Sequence, residues 1–261
     1  MQKLTDYEFE LFKKLLLDFC GINIEESKKT LLINKLNKRI KDLGLSSYKK
    51  YYDLLKSDKK ELLHFVDIIA IKETYFFRIP YHFEFLKKIA IPSLLKSNSI
   101  IRIWSAGCST GEEPYSIAIV INEEFGMLKH KFELLATDIS QSAIEKARKG
   151  EYNEKSVRHV PAQILKKYFL KEDDKYLLKE EIKKMVKFYI HNLLEPMHFT
   201  IFDIIFCRNV LIYFDDGLRE KVIQLLFSKL AQGGYLFLGT CETLLPVRIP
   251  LKSLRHSIFQ K

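Results

Sequence analysis

Residues 104–116 read Trp-Ser-Ala-Gly-Cys-Ser-Thr-Gly-Glu-Glu-Pro-Tyr-Ser, and their reading decides the fold. Residues 100–105 (IIRIWS) lead into this stretch as a short β-branched run, the pattern of a buried strand. Residues 113–125 continue from it with the pattern of a helix. Gly107 and Gly111 stand between the two, where a backbone without Cβ turns sharply and brings loop amides close to a ligand. A second strand, 132–137 (FELLAT), is followed by Asp138. A carboxylate at that strand end can accept from ribose hydroxyls. Strand, glycine loop, helix and strand-end acid together predict a site for a nucleoside cofactor.

The same alternation continues outward. A helix is expected over 140–149, and strands over 186–190 (VKFYI), 202–207 (FDIIFC) and 235–239 (YLFLG). A helix over 216–231 precedes the last of these and is ended by Gly233-Gly234. Alternating strands and helices predict an α/β fold with a mainly parallel, Rossmann-like sheet covered on both faces. The charged stretch 150–185 interrupts the pattern, and 176–178 with 187–189 is expected to form a small antiparallel β insert. The first ninety or so residues read as helices instead. One runs over 4–19 and stops at Gly21. Ser27 caps a second that runs through Asp42 and closes at Gly44. Ser46 or Ser47 starts a third, and a fourth covers 60–70. The chain thus divides into an all-helical domain (1–72), a linker helix carrying site residues (73–99) and a sheet domain (100–261) with its insert near 165–190.

Composition narrows the functional classes. A 261-residue chain that is 47% hydrophobic and 13% aromatic can bury a core, which excludes a disordered segment. A net charge of +10 favours an acidic partner. Cys20, Cys108, Cys207 and Cys241 form no CxxC pair and no metal-type cluster with histidine, so no metal is expected. Reduced thiols, a charged N-terminus and no apolar run of membrane-spanning length lead to the expectation of a cytoplasmic protein without membrane insertion, and a monomer. Neither a helix-turn-helix nor an RNA-binding aromatic motif is present, so nucleic acid is not the expected partner.

The loop also discriminates between cofactors. A dinucleotide site wants GxGxxG with its pyrophosphate against a helix N-terminus. Here Ser109 replaces the second glycine, and Glu112 and Glu113 open the helix, where they would repel a pyrophosphate. Acids in that place suit a ligand with an amine or a sulfonium, which favours S-adenosylmethionine over NAD. The same acids would also complement the helix dipole.

Five segments carry a resemblance: KETYFFR (72–78), WSAGCSTGEEPYSIAI (104–119), ATDIS (136–140), HNLLEP (191–196) and FDIIFCRNVLIYFD (202–215). In this order they closely resemble the chemotaxis receptor glutamate methyltransferases, the CheR family. The resemblance implies a helical N-terminal domain, a Rossmann-like methyltransferase domain with a small β subdomain, and S-adenosylmethionine as methyl donor, with S-adenosylhomocysteine as product. It also implies roles for residues. Thr74 and Arg78 reach the cofactor and the reacting carboxylate, and Glu113 holds the methionine part near Gly107. Asp138 takes the ribose, Asn192 and Leu193 flank the adenine, Arg208 and Asn209 line the floor, and Tyr213 faces the methyl group. Arg78 and Tyr213 are the catalytic pair in this reading. The family usually has Asn where this chain has Lys72, so no role is carried to that position. Tyr75, Phe76 and Phe77 read as interdomain packing, and Trp104 as core.

A glutamate substrate is already ionised at neutral pH, so no general base is needed, and the loops show no His/Asp pair or raised carboxylate. On the second helix Lys28, Lys35, Lys38 and Arg39 share one sector, broken by Leu31, while Leu32, Leu36, Ile40 and Leu43 face inward. The resemblance implies that the basic sector meets the cytoplasmic helices of methyl-accepting chemotaxis receptors. A methyltransferase for a small carboxylic acid would leave that sector without a role. A nonenzymatic cofactor-binding module would not need Arg78 and Tyr213.

Overall fold

The computed structural model describes residues 4–70, 72–197, 201–244, 247 and 249–261. The chain begins with four helices: α1 (Asp6–Cys20), α2 (Lys29–Asp42), α3 (Tyr48–Ser57) and α4 (Lys59–Ile69). Local chemistry sets their ends. Thr5 and Glu8 form a capping box at the start of α1, and Gly21 closes it in the left-handed conformation. Asp58 ends α3 and caps α4 by accepting from the amides of Lys60 and Glu61. Ser27 does not cap α2 as expected. It lies inside a 3₁₀ turn, Glu26–Lys28, and its hydroxyl donates to Glu25. The bundle closes around Phe12, Tyr51 and Phe65, whose rings meet at centroid distances of 5.8–6.2 Å.

Leu32, Leu36 and Ile40 of α2 are buried, as the helical spacing predicts. The basic sector is another matter. The Arg39 guanidinium makes a two-pronged bond to Glu61 of α4, with Nε to Oε1 at 2.8 Å and Nη2 to Oε2 at 2.6 Å. Tyr51 donates to the same carboxylate at 2.8 Å. Burial pushes the Glu61 carboxyl up, but Arg39 and Tyr51 outweigh it and leave its pKa lowered. Arg39 is therefore engaged inside the bundle, and its place in a free receptor-facing sector is corrected. Arg39→Ala is expected to destabilise the fold by about 3 kcal/mol in urea denaturation, because it leaves a buried carboxylate unpaired. Exposed Lys38→Ala should have little effect.

The linker is not helical throughout. Residues 72–79 form irregular turns, with Phe77 and Ile79 at φ of 56° and 61°. Helix begins only at Pro80, because a residue before proline is disfavoured in the α conformation. From there α5 (Pro80–Phe85), a π-helical segment (Leu86–Ala90) and α6 (Ile91–Leu94) run on continuously. Thr74 and Arg78 thus sit on the turns ahead of the helix.

The strands are β1 (Ile101–Ala106), β2 (Phe132–Asp138), β3 (Glu151–Asn153), β4 (Phe169–Glu172), β5 (Lys175–Leu178), β6 (Val186–Ile190), β7 (Phe202–Cys207), β8 (Leu230–Leu238), β9 (Lys252–Arg255) and β10 (Ile258–Gln260). Seven make the main sheet in the order β6-β2-β1-β7-β8-β10-β9. Pairing is parallel from β6 to β8 and antiparallel through β10 and β9. This is the mostly parallel Rossmann-like sheet expected, with helices α7 (Glu112–Phe125) and α8 (Gln141–Lys149) among those covering it. β1 lies between β2 and β7, so the chain leaves its end in opposite directions and opens a crevice there.

The insert differs from its expected pairing. Residues 176–178 pair with β3 and β4, giving a separate three-stranded antiparallel sheet, β3-β5-β4, within 151–178. Residues 187–189 belong to β6 at the edge of the main sheet. Their alternating burial fits an edge strand, and paired with β2 they are not available to the insert. Gly233-Gly234 does not end a helix either. The helix stops at Lys229, and Leu230 already pairs with Phe202. The register then jumps, so that Ile204 faces Tyr235.

Candidate active site

A cavity of about 310 Å³ opens between the helical bundle and the C-terminal ends of the parallel strands, within the size range of small-molecule sites. Each strand end delivers one part of its wall. Gly107 comes after β1, Asp138 ends β2, Asn192 and Leu193 come after β6, and Arg208 and Asn209 after β7. Thr74 and Arg78 enter from the turns before α5, Glu113 from the first turn of α7, and Tyr213 from the 3₁₀ turn Leu211–Tyr213. The helical bundle closes the other side with Ile24, Lys28, Leu31 and Lys35.

The loop after β1 is fixed by its glycines and by β2. Gly107 has φ of 81°, and a Cβ there would meet Val210 Cγ2 at 2.4 Å. The amides of Gly107 and Cys108 both donate to the Thr137 carbonyl, at 2.8 and 2.9 Å. Asp138 then accepts from Ser109 N at 2.7 Å and from Ser140 N at 2.9 Å. Burial lifts the Asp138 carboxyl above its ordinary range, against the pull of those amides. Ser109 Oγ and Asn209 Oδ1 are buried without a hydrogen-bond partner among the described residues. Both residues hold left-handed backbone, with φ of 49° and 60°. Both residues line the same cavity.

The two acids at the start of α7 separate. Glu113 lines the cavity, accepting from Ser105 Oγ and from Arg208 Nε, each at 2.6 Å. Glu112 turns away into the protein, bound by Thr110 and Ser156, and burial raises its pKa. The pair expected to favour a cationic ligand is thus a single acid, and that one is ion-paired. The raised pKa values of Asp138 and Glu112 also correct the expectation that no such carboxylate lies near the loops. Neither is placed as a base. Glu112 faces away, and both Asp138 oxygens hold amides.

Arg208 has a second task. Its Nη1 donates to the Arg78 carbonyl at 2.6 Å and lies 3.2 Å from His82 Nδ1. An arginine has no acceptor, so His82 Nδ1 must accept and its Nε2 donates to the His256 carbonyl at 3.2 Å. Burial, helped by the charge of Arg208, pushes His82 from its ordinary 6.5 down to about 3. The unfolded chain therefore binds a proton that the native state refuses as pH falls from 6.5 towards 3. Stability from this group is complete above that window and is lost on descending through it. His82→Gln, which keeps one acceptor and one donor, is expected to flatten the fall of Tm between about pH 6.5 and about pH 4. An unchanged slope would show that the imidazole does not titrate this way.

The other expected residues divide between the cavity and the packing around it. Arg78 donates through Nη1 to the Glu73 carbonyl at 3.1 Å and lies 5.8 Å from the Tyr75 ring, leaving most of its five donors to the cavity. Burial raises the Tyr213 pKa against the opposing charge of Arg78, so the phenol keeps its proton at neutral pH. Asn192 is committed to the joint between the domains, donating to the Phe19 carbonyl at 2.7 Å. Lys35 lines the cavity but gives its ammonium to the Ile68 carbonyl at 2.6 Å, while Lys38 is exposed and lies off the cavity. Phe76 is buried against Tyr152 and Phe169, and Trp104 is buried in the sheet, as packing residues.

Sequence reading misses Glu242. Its carboxylate accepts from the amides of Asn209, Val210, Leu211 and Gly239, holding the turn that carries Tyr213. No motif announces it. Among the described residues no group of His, Cys, Asp and Glu could hold a metal, and no helix is long and apolar enough to cross a membrane.

Comparison with known proteins places this architecture. The all-alpha domain of CheR methyltransferases matches residues 7–69, and their SAM binding domain matches 72–258. A chemotaxis protein methyltransferase of Borreliella burgdorferi is 39% identical over 253 residues, covering 92% of this chain and 89% of that protein. Chemotaxis protein methyltransferase 1 of Pseudomonas aeruginosa is 36% identical over 247 residues, covering 91% and 90%. Chemotaxis protein methyltransferase Cher2 of Pseudomonas putida is 36% identical over 248 residues, covering 91% and 90%. The chain belongs to the CheR methyltransferase family.

Proposed function

We propose that this chain methylates chemotaxis receptors, transferring a methyl group from S-adenosylmethionine to glutamate side chains on their cytoplasmic helices and leaving 5-O-methyl esters. The observation that carries this reading is Arg78 and a protonated Tyr213 on the wall of the same cavity as Asp138 and Glu113. The residues present fit the cofactor. Asp138 offers a carboxylate to ribose hydroxyls, and Asn209 Oδ1 and Ser109 Oγ are idle polar atoms. Glu113 supplies an acid towards an amine, and Gly107, packed against Val210 with a left-handed backbone, lets the loop turn along the cavity wall. When bound, S-adenosylmethionine supplies a methyl group on a sulfonium, open to displacement by a carboxylate oxygen.

The chain's own residues then bind and aim. A glutamate side chain arrives ionised, so nothing need take a proton from it. The Arg78 fork holds the carboxylate, in the geometry where two parallel N–H bonds fit best. The Tyr213 hydroxyl, held as a donor, directs one oxygen. Arg78 stabilises the charged ground state at least as much as the transition state, so its contribution is binding and alignment. The helical bundle walls one side of the cavity, and the less water reaches the reacting groups, the more the cancellation of opposite charges is favoured. Lys28 at the rim, exposed Lys38 and the exposed apolar Leu31 and Ile212 supply a surface for an acidic amphipathic helix.

Incubation of the protein with methyl-labelled S-adenosylmethionine and receptor cytoplasmic fragments tests the proposal. Label on the receptor that is released by mild base, and absent when the glutamates are replaced by alanine, is the expected result. Base-stable label, or label only on small carboxylic acids, overturns it.

A further inference from the structure

Asp67 stands in the last turn of α4, where the helix dipole disfavours an acid, and the assigned site does not use it. Its Oδ1 nevertheless gathers a cluster of donors, two serines of the sheet domain and a lysine just beyond α4. Ser140 Oγ donates to it, Ser142 N at 3.2 Å, Ser142 Oγ at 3.0 Å and Lys72 Nζ at 3.1 Å. Lys72 Nζ also donates to Ser142 Oγ at 2.7 Å. The partners Ser140 and Ser142 flank the start of α8, so a carboxylate from the helical bundle sits at that helix's N-terminus, where negative charge is favoured. Burial pushes the Asp67 carboxyl up, but Ser140, Ser142 and Lys72 together hold it below its ordinary range, so it stays charged.

Ser140 makes the connection to the cofactor site. Its hydroxyl donates to Asp67 and accepts from Ala143 N at 3.0 Å, while its amide donates to Asp138 Oδ1 at 2.9 Å. One residue thus links the helical bundle to the acid that faces the ribose. Ser140 is almost fully buried, so its hydroxyl has no solvent to replace Asp67 if that acceptor is lost.

The geometry points to Asp67, paired with Lys72, as a positioning residue: it latches the helical bundle onto Ser140 and thereby sets the orientation of Asp138 for the cofactor ribose. This inference rests on the cofactor reading given above. It gives Lys72 a task of its own, as the cation that spans Asp67 and Ser142, and it makes cofactor affinity depend on how the receptor-facing domain is seated. Rigid seating of a site residue by a neighbour's hydrogen bonds is the general requirement for a preorganised site.

Calorimetry with S-adenosylhomocysteine on the full chain tests this through a double-mutant cycle. Asp67→Ala and Asp138→Ala are each expected to weaken binding, Asp67→Ala by about ten-fold, the scale of one charge-assisted hydrogen bond lost. In the Asp138→Ala background, Asp67→Ala should add less than about two-fold, because the residue acts through Asp138. Asp67→Asn keeps the shape and one acceptor while losing the charge that holds Lys72. It serves the same cycle if the alanine variant does not fold, and its fold is checked by Tm. A general loss of stability would lower Tm equally in both backgrounds but would not make the affinity losses non-additive. Additive losses, or unchanged affinity in a folded Asp67→Asn protein, overturn the inference. Failure of the unmodified chain to bind S-adenosylhomocysteine overturns the cofactor reading and this inference with it.

Discussion

Arg78→Ala is expected to lower single-turnover methylation of a receptor fragment, measured at sub-saturating fragment, by ~10²-fold, the cost of misplacing a reacting group that binding had aligned. The size of the effect depends on what else could hold the substrate carboxylate. Arg208 lines the same cavity, but Glu113, the Arg78 carbonyl and His82 take up its guanidinium. Lys35 is turned to the Ile68 carbonyl, and Lys28 stands on the bundle side. Affinity for S-adenosylhomocysteine should change much less, because Asp138, Glu113 and the loop after β1 remain. Tyr213→Phe should cost only about ten-fold, since the hydroxyl orients one oxygen and nothing requires it to move a proton. A Tyr213→Phe enzyme as inactive as Arg78→Ala would mean that the phenol does more than aim. An Arg78→Ala enzyme with near-normal single-turnover rate would remove Arg78 from the carboxylate.

Legibility in the sequence depends on where each residue finds its partners. Strands 186–190 and 202–207 are legible to the residue, the latter because a strand buried on both faces is one continuous apolar run. The β9–β10 hairpin is not, since KSLR and IFQ are too short and mixed to show a period. Period also names no partner, which is why the expected neighbour of residues 176–178 is the wrong one. Gly107 and Asp138 are readable from the pattern because they lie at parallel strand ends, where the fold class places ligands, whereas Asn192, Leu193, Arg208 and Asn209 stand out only through the family resemblance. Arg39 misleads because a helical wheel treats α2 as if alone, whereas Glu61 comes from α4. Asp67 does leave a trace, an acid in the last turn of its helix, but its serine donors lie more than seventy residues away. The acids at 112 and 113 read as one feature, yet successive helix positions point about 100° apart, and only Glu113 reaches the cavity.

The second large effect belongs to Arg208. Its side chain is 2% exposed and that of Glu113 10%, and they meet at 2.6 Å. Removing one member of such a pair leaves a largely buried charge with only the Ser105 hydroxyl as partner, so Arg208→Ala should destabilise the fold by ~3 kcal/mol. Replacing Glu113 as well removes the stranded charge. Arg208→Ala/Glu113→Gln is therefore expected to be more stable than Arg208→Ala alone, even though it carries one more substitution. Urea denaturation of both variants decides this, and equal stabilities would show that Glu113 is not a stranded charge. Activity should behave differently from stability. In either variant the Arg78 carbonyl loses its 2.6 Å donor, and the turn from Glu73 to Arg78 loses the anchor that ties it to the end of β7. The double variant should then fold better than the single one while methylating receptor no faster, because what Arg208 gives to catalysis passes through Arg78 and what it gives to folding passes through Glu113. A double variant that regained activity along with stability would mean that Arg208 serves only to neutralise its partner.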